Sequence, residues 1–356
     1  MKSNRFLALA AITAAALSSP AAGAADLTKV SIIQMHPAIG VGEEVFMYAV
    51  PKRLGFFKEE GLEVAIQGVA GGGPAAQVLQ SGGAEFGTTM PESILQVREQ
   101  GGDLVAFYSL KRNNGTILIT PEASPIRELK DLKGKTIGGM SFGSGGGLAL
   151  KNNLALIGLQ PDQYSVVTTG VGPSALTAMQ SGQIDAVVLW DAMRGAAENT
   201  GMALRAVEIP IQNDFAAMTL ATTERFAKAN PQAVKGMCRA VAKGLRFALT
   251  NPEAAIKIFW EEFPTTKPAN VDADVALRNQ VHILTRWFEM AEQGVEPGKE
   301  TGAFLTGNWE KTLSFYKEAG LLKGSKAAAE GYTEAYLDDC NRYDRGAVES
   351  LAKASK

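Results

Sequence analysis

The chain has few of the residues that support metal or redox chemistry. Its 356 residues include only two cysteines, Cys238 and Cys340, and two histidines, His36 and His282. Neither histidine has a cysteine or carboxylate at the spacing of metal ligands, and no Gly-x-Ser-x-Gly turn occurs. Catalysis needs acid and base groups within hydrogen-bond reach, and none can be named. We therefore expect a protein that is not an enzyme and holds neither a metal nor a cofactor.

The chain also lacks a large excess of positive or of negative charge. The chain has 35 Lys and Arg against 37 Asp and Glu, for a formal net charge of −2. This balance argues against a nucleic-acid partner and against a polybasic membrane-binding patch. No stretch approaches the ~20 consecutive apolar residues of a membrane-spanning helix.

The N-terminus has the pattern of a secretory signal peptide. Lys2 and Arg5 precede a short apolar run, and Ala22-Gly23-Ala24 supplies small residues for cleavage. We expect residues 1–25 to be the signal peptide, cleaved near Ala24 or Ala25, and the mature protein to be periplasmic. In that oxidising compartment Cys238 and Cys340 either pair across a long loop or remain buried thiols; the sequence leaves both open.

The next part of the chain has the pattern of an α/β protein. Short apolar runs alternate with helical patterns from Val30 to Val207, which predicts a mostly parallel sheet. The expected strands are Val30–Met35, Leu62–Gln67, Phe86–Thr88, Leu104–Tyr108, Ile117–Ile119, Thr136–Gly138, Val166–Thr168, Ala186–Leu189 and Leu204–Val207. The spacing also predicts one helix over Val45–Glu60, ended by Gly61.

One phrase occurs twice: Gly73-Pro-Ala-Ala-Gln-Val-Leu-Gln-Ser-Gly82 and Gly172-Pro-Ser-Ala-Leu-Thr-Ala-Met-Gln-Ser-Gly182. Each copy predicts a helix with proline as its first residue, followed by a buried strand, so the repeat indicates two similar lobes. A pair of such helix starts facing each other would offer free backbone N–H groups to a polar or anionic ligand. The alternative is that Gly-Pro marks an ordinary helix start in a common α/β unit.

Two crossings between the lobes are expected, at Lys111–Thr116 and Pro210–Ala217. Lobe 1 would then comprise residues 26–112 and 216–345, lobe 2 residues 113–215, and residues 346–356 a frayed tail. An apolar run resumes at Met218–Ala221, and helices that we expect to pack around lobe 1 follow. They are predicted at Pro231–Thr250, Pro252–Phe263, Ala273–Glu289, Asn308–Ala319 and Ala328–Cys340.

Candidate ligand-binding residues follow the strands, because ligands of open parallel sheets bind outside the carboxyl ends of the strands. They are His36, Pro37, Gly73, Pro74, Met90, Pro91, Glu92 and Arg112 in the first lobe, and Ser141, Phe142, Gly143, Ser144, Gly172, Trp190 and Asp191 in the second.

Each candidate has a structural alternative. The segment Ser141–Gly147 suits a carboxylate, sulfonate or phosphate, or is a flexible loop without a ligand. Trp190 stacks on a planar ligand or covers the core. His36 donates to a ligand or is a satisfied structural histidine. Arg112 pairs with an anion or is a solvated charge near the crossing, and Glu92 and Asp191 accept from a ligand or cap the helices beside them.

Several motifs together resemble a known family. They are Phe56-Phe-Lys-Glu-Glu-Gly-Leu-Glu-Val64, Gly73-Pro-Ala-Ala76, Gln80-Ser-Gly82 with Ala84-Glu-Phe-Gly87, Leu129-Lys-Asp-Leu-Lys-Gly-Lys135 and Gln180-Ser-Gly-Gln-Ile-Asp-Ala186. The set resembles the NMT1/THI5-like and SsuA/TauA-like substrate-binding proteins of ABC importers. The resemblance implies the type II periplasmic binding protein fold, with two α/β lobes joined by two hinge crossings and additional C-terminal helices.

The resemblance also implies a function. Such a protein, which we expect to be a monomer, captures a sulfonate, an aromatic carboxylate, a pyrimidine or a similar solute by lobe closure and delivers it to a permease and its ATPase. One branch of the family instead makes the thiamine pyrimidine, with a cysteine-rich motif and a pyridoxal phosphate lysine. A pyrimidine-metabolism enzyme and a sensory binding protein are therefore the alternatives.

Overall fold

The computed structural model describes residues 27–112, 116–140, 142, 145–170, 172–291, 300–305 and 307–356. These residues form two five-stranded sheets. The strands are β1 (Thr28–Gln34), β2 (Leu62–Gly68), β3 (Phe86–Thr89), β4 (Leu104–Ser109), β5 (Thr116–Pro121), β6 (Thr136–Gly139), β7 (Ser165–Thr168), β8 (Ala186–Trp190), β9 (Leu204–Val207) and β10 (Thr219–Thr223). Each of the nine expected strands is present, and the apolar run at Met218–Ala221 leads into the tenth.

The α-helices of the described residues lie between and after these strands. They are α1 (Val50–Arg53), α2 (Phe56–Glu59), α3 (Gly72–Ser81), α4 (Pro91–Glu99), α5 (Gly145–Leu156), α6 (Pro173–Gln180), α7 (Asp191–Glu198), α8 (Glu224–Ala229), α9 (Pro231–Thr250), α10 (Pro252–Glu262), α11 (Ala273–Ala291), α12 (Asn308–Glu318), α13 (Leu337–Cys340) and α14 (Arg345–Ala354). None of them is long and apolar enough to cross a membrane.

The two sheets have the same plan. The first has the order β2-β1-β3-β10-β4 and the second the order β7-β6-β8-β5-β9. In each, one strand runs antiparallel between two strands of the other direction: β10 between β3 and β4, and β5 between β8 and β9. The chain enters the second sheet between β4 and β5 and returns between β9 and β10. Two α/β halves joined by two crossings, as expected, are therefore confirmed.

Helices cover both faces of each sheet, so its central strands are buried on both sides, whereas the edge strand β7 is exposed. Successive residues of a strand point to opposite faces, and Ile32 and Ile33 of β1 accordingly belong to different apolar clusters. In the second sheet, Leu118 of β5 packs into one cluster while its neighbours Ile117 and Ile119 pack into the other. This double burial explains why the central strands are short, continuous apolar runs in the sequence.

The repeated phrase occupies equivalent places in the two halves. Helix α3 connects β2 to β3, and α6 connects β7 to β8. Helix α6 begins at Pro173, as predicted, after Gly172 with φ of 75°. Helix α3 begins two residues before its proline, at Gly72, after Gly71 with φ of 110°. Only glycine adopts such backbone angles without strain, so Gly71 rather than Gly73 sets the start of α3.

The first predicted helix is interrupted. Instead of one helix over Val45–Glu60, the chain forms a π-helical turn at Val45–Ala49, then α1 and α2. Pro51 lacks the N–H that would continue the hydrogen-bond ladder, and Gly55, with φ of 82°, separates α1 from α2. The expected stop at Gly61 holds, because this residue has φ of 72° and leads into β2.

Two expectations for the C-terminal region are wrong. Ala328–Cys340 is not one helix: a 3₁₀ turn ends at Gly331, Tyr332 forms a β-bridge with Ala106, and only Leu337–Cys340 is α-helical. Residues after Arg345 are not frayed, because α14 packs on α9 with Val348 and Ala352 buried.

The structure decides between the two alternatives for the cysteines, a disulfide or two buried thiols. Cys238 of α9 and Cys340 of α13 form a disulfide across a sequence separation of 102 residues, and both side chains are fully buried. The disulfide therefore fixes α13, and the chain leading to α14, onto the long helix α9.

Helix α11 contacts both halves of the molecule. Trp287 and Phe288 place their rings 4.8 and 5.9 Å from the ring of Phe46, in the core beside the first sheet. The same helix packs along α7, which follows β8 of the second sheet. The sequence predicted that the C-terminal helices pack around the first half; α11 does so and also packs on the second half.

Candidate functional site

The helices of the repeated phrase begin beside the carboxyl ends of β2 and β7. No side chain caps the start of either helix. A Cβ atom placed at Gly73 or Gly172 would meet open space. Among the described residues, the backbone N–H groups of the first turns have no side-chain acceptor, and such groups favour an anion or a polar oxygen. Pro74 is exposed beside the first of these starts.

The end of β3 adds polar groups next to α3. The Thr89 hydroxyl donates to the carbonyl of Gly72 over 2.9 Å, which fixes the start of α3 to the end of β3. Met90 is half-buried and Pro91 is the first residue of α4. Glu92 follows in the first turn, where burial raises the pKa of its carboxyl although a hydrogen bond with Tyr316 opposes this.

The segment after β1 carries an ion pair. His36 Nε2 lies 3.3 Å from Glu43 Oε1, with the His36 side chain 36% exposed and the Glu43 side chain 4% exposed. The two atoms form an ion pair rather than a hydrogen bond, since Glu43 Oε1 has no hydrogen-bond partner among the described residues. Burial alone would lower the pKa of His36, but the contact with the Glu43 carboxylate outweighs it, and the pKa is raised. Burial opposes ionisation of Glu43, yet His36 lowers the pKa of that carboxyl. Both directions favour a charged pair.

Two more buried ionisable groups surround this pair. Burial, reinforced by the adjacent charge of Glu43, raises the pKa of Glu44 well above its ordinary value. Burial lowers the pKa of Lys111 to about 8, with Glu43 acting in the opposite direction. Lys111 Nζ also lies 5.2 Å from the centre of the Trp287 ring, within the range of a cation–π contact.

Arg112 is buried rather than solvated. One terminal nitrogen, Nη2, donates to the carbonyl of Glu300 over 2.7 Å, while Nη1 is buried and has no hydrogen-bond partner in the described part of the chain. The alternative of a solvated charge near the crossing is therefore wrong. Its role toward an anion stays a prediction.

In the second half, the described candidates lie at the ends of β6, β7 and β8. The Phe142 ring packs against Gly139, where a Cβ atom would lie 3.0 Å from it. Trp190 is the last residue of β8 and is half-buried against the core cluster that contains Phe46 and Trp287. Ser141, Gly143 and Ser144 lie outside the described residues. Asp191 is the first residue of α7, and its side chain is also outside the described part.

The remaining first-half candidate, Pro37, is exposed next to His36. A Cβ atom at Gly68, the end of β2, would lie 2.3 Å from the carbonyl oxygen of His36. The end of β2 and the segment after β1 thus approach as closely as two backbones can, and any larger residue at Gly68 would displace His36.

Two surface cavities lie away from these residues. One of about 350 Å³ is lined by Gln77, Gln80, Ser81, Val97, Gln100, Gly101 and Gly102. The other, of about 470 Å³, is lined by Phe56, Glu59, Glu60, Arg239, Lys243, Arg342, Tyr343, Asp344, Ala347, Val348 and Leu351. Neither includes a predicted site residue. No group of three or more His, Cys, Asp or Glu in the described chain could hold a metal ion.

The halves touch through apolar and charged contacts near the second-half candidates. Ala192 of α7 belongs to the core cluster of the first sheet. Glu198, at the other end of α7, accepts from Arg194 over 2.9 Å and from Arg286 of α11 over 2.8 Å, and its other contact is His282 of α11 at 2.7 Å. These bonds hold α7, and with it the end of β8, against α11.

Sequence reasoning missed Glu43, Glu44 and Lys111. Glu43 and Glu44 are not at a strand end in the sequence pattern, and Glu43 lies seven residues from His36 across a Pro- and Gly-containing segment. Lys111 directly precedes the candidate Arg112 in the expected crossing. The sequence does contain one weak signal. Glu43 and Glu44 directly precede the apolar run that begins at Val45, and carboxylates next to a buried run have limited access to water.

Solved structures share this fold. The periplasmic aliphatic sulphonate binding protein SsuA from Escherichia coli superposes with a TM-score of 0.63 at 15% identity, covering 88% of this chain and 92% of that chain. Together with the two sheets and their two crossings, this match defines a type II periplasmic binding protein fold, as the sequence predicted.

The family follows from a sequence comparison. The model of the family described as NMT1/THI5 like matches residues 44–255, more than half of the chain. The chain therefore belongs to the NMT1/THI5-like family, which confirms the resemblance found in its motifs.

Proteins with similar sequences include a binding protein and an enzyme. The riboflavin-binding protein RibY of Chloroflexus aurantiacus is 24% identical over 306 residues, 82% of this chain and 81% of that protein. The 4-amino-5-hydroxymethyl-2-methylpyrimidine phosphate synthase THI13 of Saccharomyces cerevisiae is also 24% identical, over 297 residues, 80% of this chain and 81% of the enzyme. The names of these two relatives describe different activities, ligand binding and synthesis.

Proposed function

We propose that this protein is the periplasmic solute-binding component of an ABC importer. It is exported with cleavage near Ala24 or Ala25, acts as a monomer, captures a small solute between its halves and presents it to a permease with its ATPase. The observation that carries this proposal is the equivalence of the halves: each has the same strand order and an uncapped, glycine-led helix beginning beside the end of a strand.

The ligand class follows from the chemistry of these groups. Uncapped backbone N–H groups favour oxygen acceptors, and the half-buried ring of Trp190 offers a face for stacking. A small organic anion or a planar heterocycle with acceptor oxygens would use both. The names of the sulphonate-binding SsuA and the riboflavin-binding RibY fall in these two classes.

Capture by closure fits the contacts between the halves. A ligand that touches both halves binds the closed form more tightly than the open form, and this difference in affinity is what shifts the population. Ala192 of α7 already packs on the first-half core, so the halves are in contact in this structure.

The enzymatic alternative is a synthase of the THI5 type. The cysteine-rich motif expected of that branch has no counterpart here, because the only two cysteines are 102 residues apart and bonded to each other. A sensory binding protein remains the third candidate, and neighbouring genes for a permease and an ATPase would argue against it.

One set of measurements tests the proposal. The mature protein, purified without denaturation, is analysed by native mass spectrometry for a retained ligand. It is then titrated calorimetrically with riboflavin, ethanesulfonate, benzoate and 4-amino-5-hydroxymethyl-2-methylpyrimidine. We expect saturable one-to-one binding of at least one compound, and no turnover. Copurified pyridoxal phosphate, consumption of a titrated compound, or absence of binding to all four would overturn the proposal. The mass of the purified mature protein locates its first residue and so tests the predicted cleavage near Ala24 or Ala25.

A further inference from the structure

The His36–Glu43 pair joins an accessible group to an inaccessible one. The pair is 3.3 Å apart, and the His36 side chain is 36% exposed whereas that of Glu43 is 4% exposed. Glu43 therefore contacts the imidazole from the protein side through Nε2. The other ring nitrogen, Nδ1, lies across the ring and has no hydrogen-bond partner among the described residues.

Resting on the proposed function, we propose that Glu43 is a positioning residue that holds His36 as an imidazolium, whose Nδ1–H donates to an acceptor oxygen of the captured solute. A buried carboxylate fixes the ring orientation and compensates its charge. Glu43 itself does not touch the ligand.

The other ionisable groups around the pair set its charge. Glu44 is adjacent to Glu43 and is shifted toward its neutral form, because burial raises the pKa of its carboxyl. Lys111 opposes the protonation of His36 by its own charge, but its effect is the smaller, and the pKa of His36 remains raised. Among the described groups facing His36, only Glu43 therefore provides a counter-charge.

This arrangement selects the chemistry of the ligand. An imidazolium has two N–H donors and no acceptor, so the ligand must present an oxygen of a sulfonate, carboxylate or carbonyl at this position. An ammonium group there would be repelled. Affinity should be highest below the pKa of His36 and should fall as the pH rises through it, because the donor charge is then lost.

The first experiment needs no ligand. The chain has two histidines, so NMR titration of the imidazole resonances of the mature protein resolves both, and His282→Asn assigns them. We expect a pKa for His36 above the ordinary 6.5. Glu43→Gln should lower it, whereas Glu44→Gln, the matched control, should leave it unchanged, because burial raises the pKa of Glu44 and favours its neutral form. A His36 pKa at or below 6.5 in the wild type would overturn the inference without any variant.

The second experiment uses two probes, ethanesulfonate and riboflavin, titrated at pH 5.5 and pH 8.5. A probe that binds should bind about fivefold more weakly at the higher pH, the difference between a charge-assisted and a neutral hydrogen bond. Glu43→Gln should move this transition to lower pH, and His36→Asn should abolish it. A bound probe with pH-independent affinity and unmoved His36 resonances would overturn the inference and leave the proposed function standing. If no compound binds, the proposed function fails, and the ligand-free titration alone decides on the pair.

Discussion

A Cβ atom at Gly195 of α7 would lie 2.9 Å from the Cα atom of Ile283 in α11. The two helices thus approach each other at backbone distance, in the place where the second half meets the C-terminal helices. Next to this contact the Asn199 side chain donates to the carbonyl of Asn279 over 2.8 Å. Helix α7 starts directly after Trp190, so the α7–α11 contact also positions a candidate ligand-binding residue.

Gly195→Ala should therefore separate the two helices. Because the obstacle is backbone rather than a flexible side chain, we expect a loss of about 1 to 3 kcal/mol in the free energy of unfolding, measured in urea. Gly346→Ala in α14 is the matched control, since its Cβ atom would have only an ordinary contact at 3.4 Å, and it should be neutral or slightly stabilising. Equal effects of the two substitutions would contradict the close approach.

The disulfide should make a large contribution to stability. A loop of 102 residues separates Cys238 from Cys340, and closing a loop of that size is worth about 4 to 5 kcal/mol in the chain-entropy model. The double variant Cys238→Ala with Cys340→Ala should lose that amount in equilibrium urea unfolding.

Thiol labelling of the denatured wild type, before and after reduction, supplies the control. We expect no free thiol before reduction and two after it. Two labelled thiols in the unreduced protein would show that the bond does not form.

Lys111 should make stability rise with pH on the alkaline side. Burial lowers the pKa of Lys111 to about 8, whereas an unfolded lysine titrates near 10.4. Below pH 8 both states carry the charge and its burial cost is constant; between these values the unfolded state binds more protons, so stability rises with pH. From pH 7.5 to pH 9.5 the wild type should gain about 2 kcal/mol relative to a variant without a titrating group here.

Lys111→Met and Lys111→Arg are the two reference variants for this measurement. The first has no charge and the second keeps its charge throughout, so neither should show the gain in chemical denaturation at the two pH values. A wild-type slope no steeper than that of Lys111→Arg would refute the lowered pKa.

Trp190 should matter for a planar ligand. If the ring stacks on the solute, Trp190→Ala should weaken binding by on the order of 1 kcal/mol, about fivefold in Kd, in calorimetric titration with riboflavin. Because Trp190 also packs on the core, thermal unfolding of the variant is recorded in parallel. Trp260→Phe, in α10, is the control and should keep the affinity. Unchanged binding in Trp190→Ala would remove this residue from the site.

The helices and strands were predictable because the local pattern of apolar and polar residues indicates which positions are buried. Ile32 and Ile33 are both apolar since both faces of β1 are covered, and Gly172-Pro173 marks a helix start by backbone geometry alone. The failures depend on tertiary contacts. Tyr332 interrupts a helical pattern because it bridges to Ala106, and α14 is ordered because α9 accepts its apolar face.

The site was less predictable than the fold. Strand ends can be located from sequence, and His36 and Trp190 were chosen in that way. The sequence does not show that Glu43 turns inward to His36, or that Arg112 is buried against the Glu300 carbonyl, since burial of a charge depends on residues far away in the chain. Ion pairs between distant segments produce no periodic pattern in the sequence from which they could be predicted.

The position of β10 has a consequence for the order of assembly. Among the described strands, β4 pairs with β10 alone, and β10 follows all five strands of the second sheet. The strands of the second sheet come from one continuous stretch of the chain, so this sheet can form without the rest. The first sheet forms only after β10 has been added, and bringing β10 to it costs the entropy of closing a long loop. A nascent chain stopped before Thr219 would carry a finished second half and an open first half with an unpaired apolar strand, which is a target for chaperones and proteases.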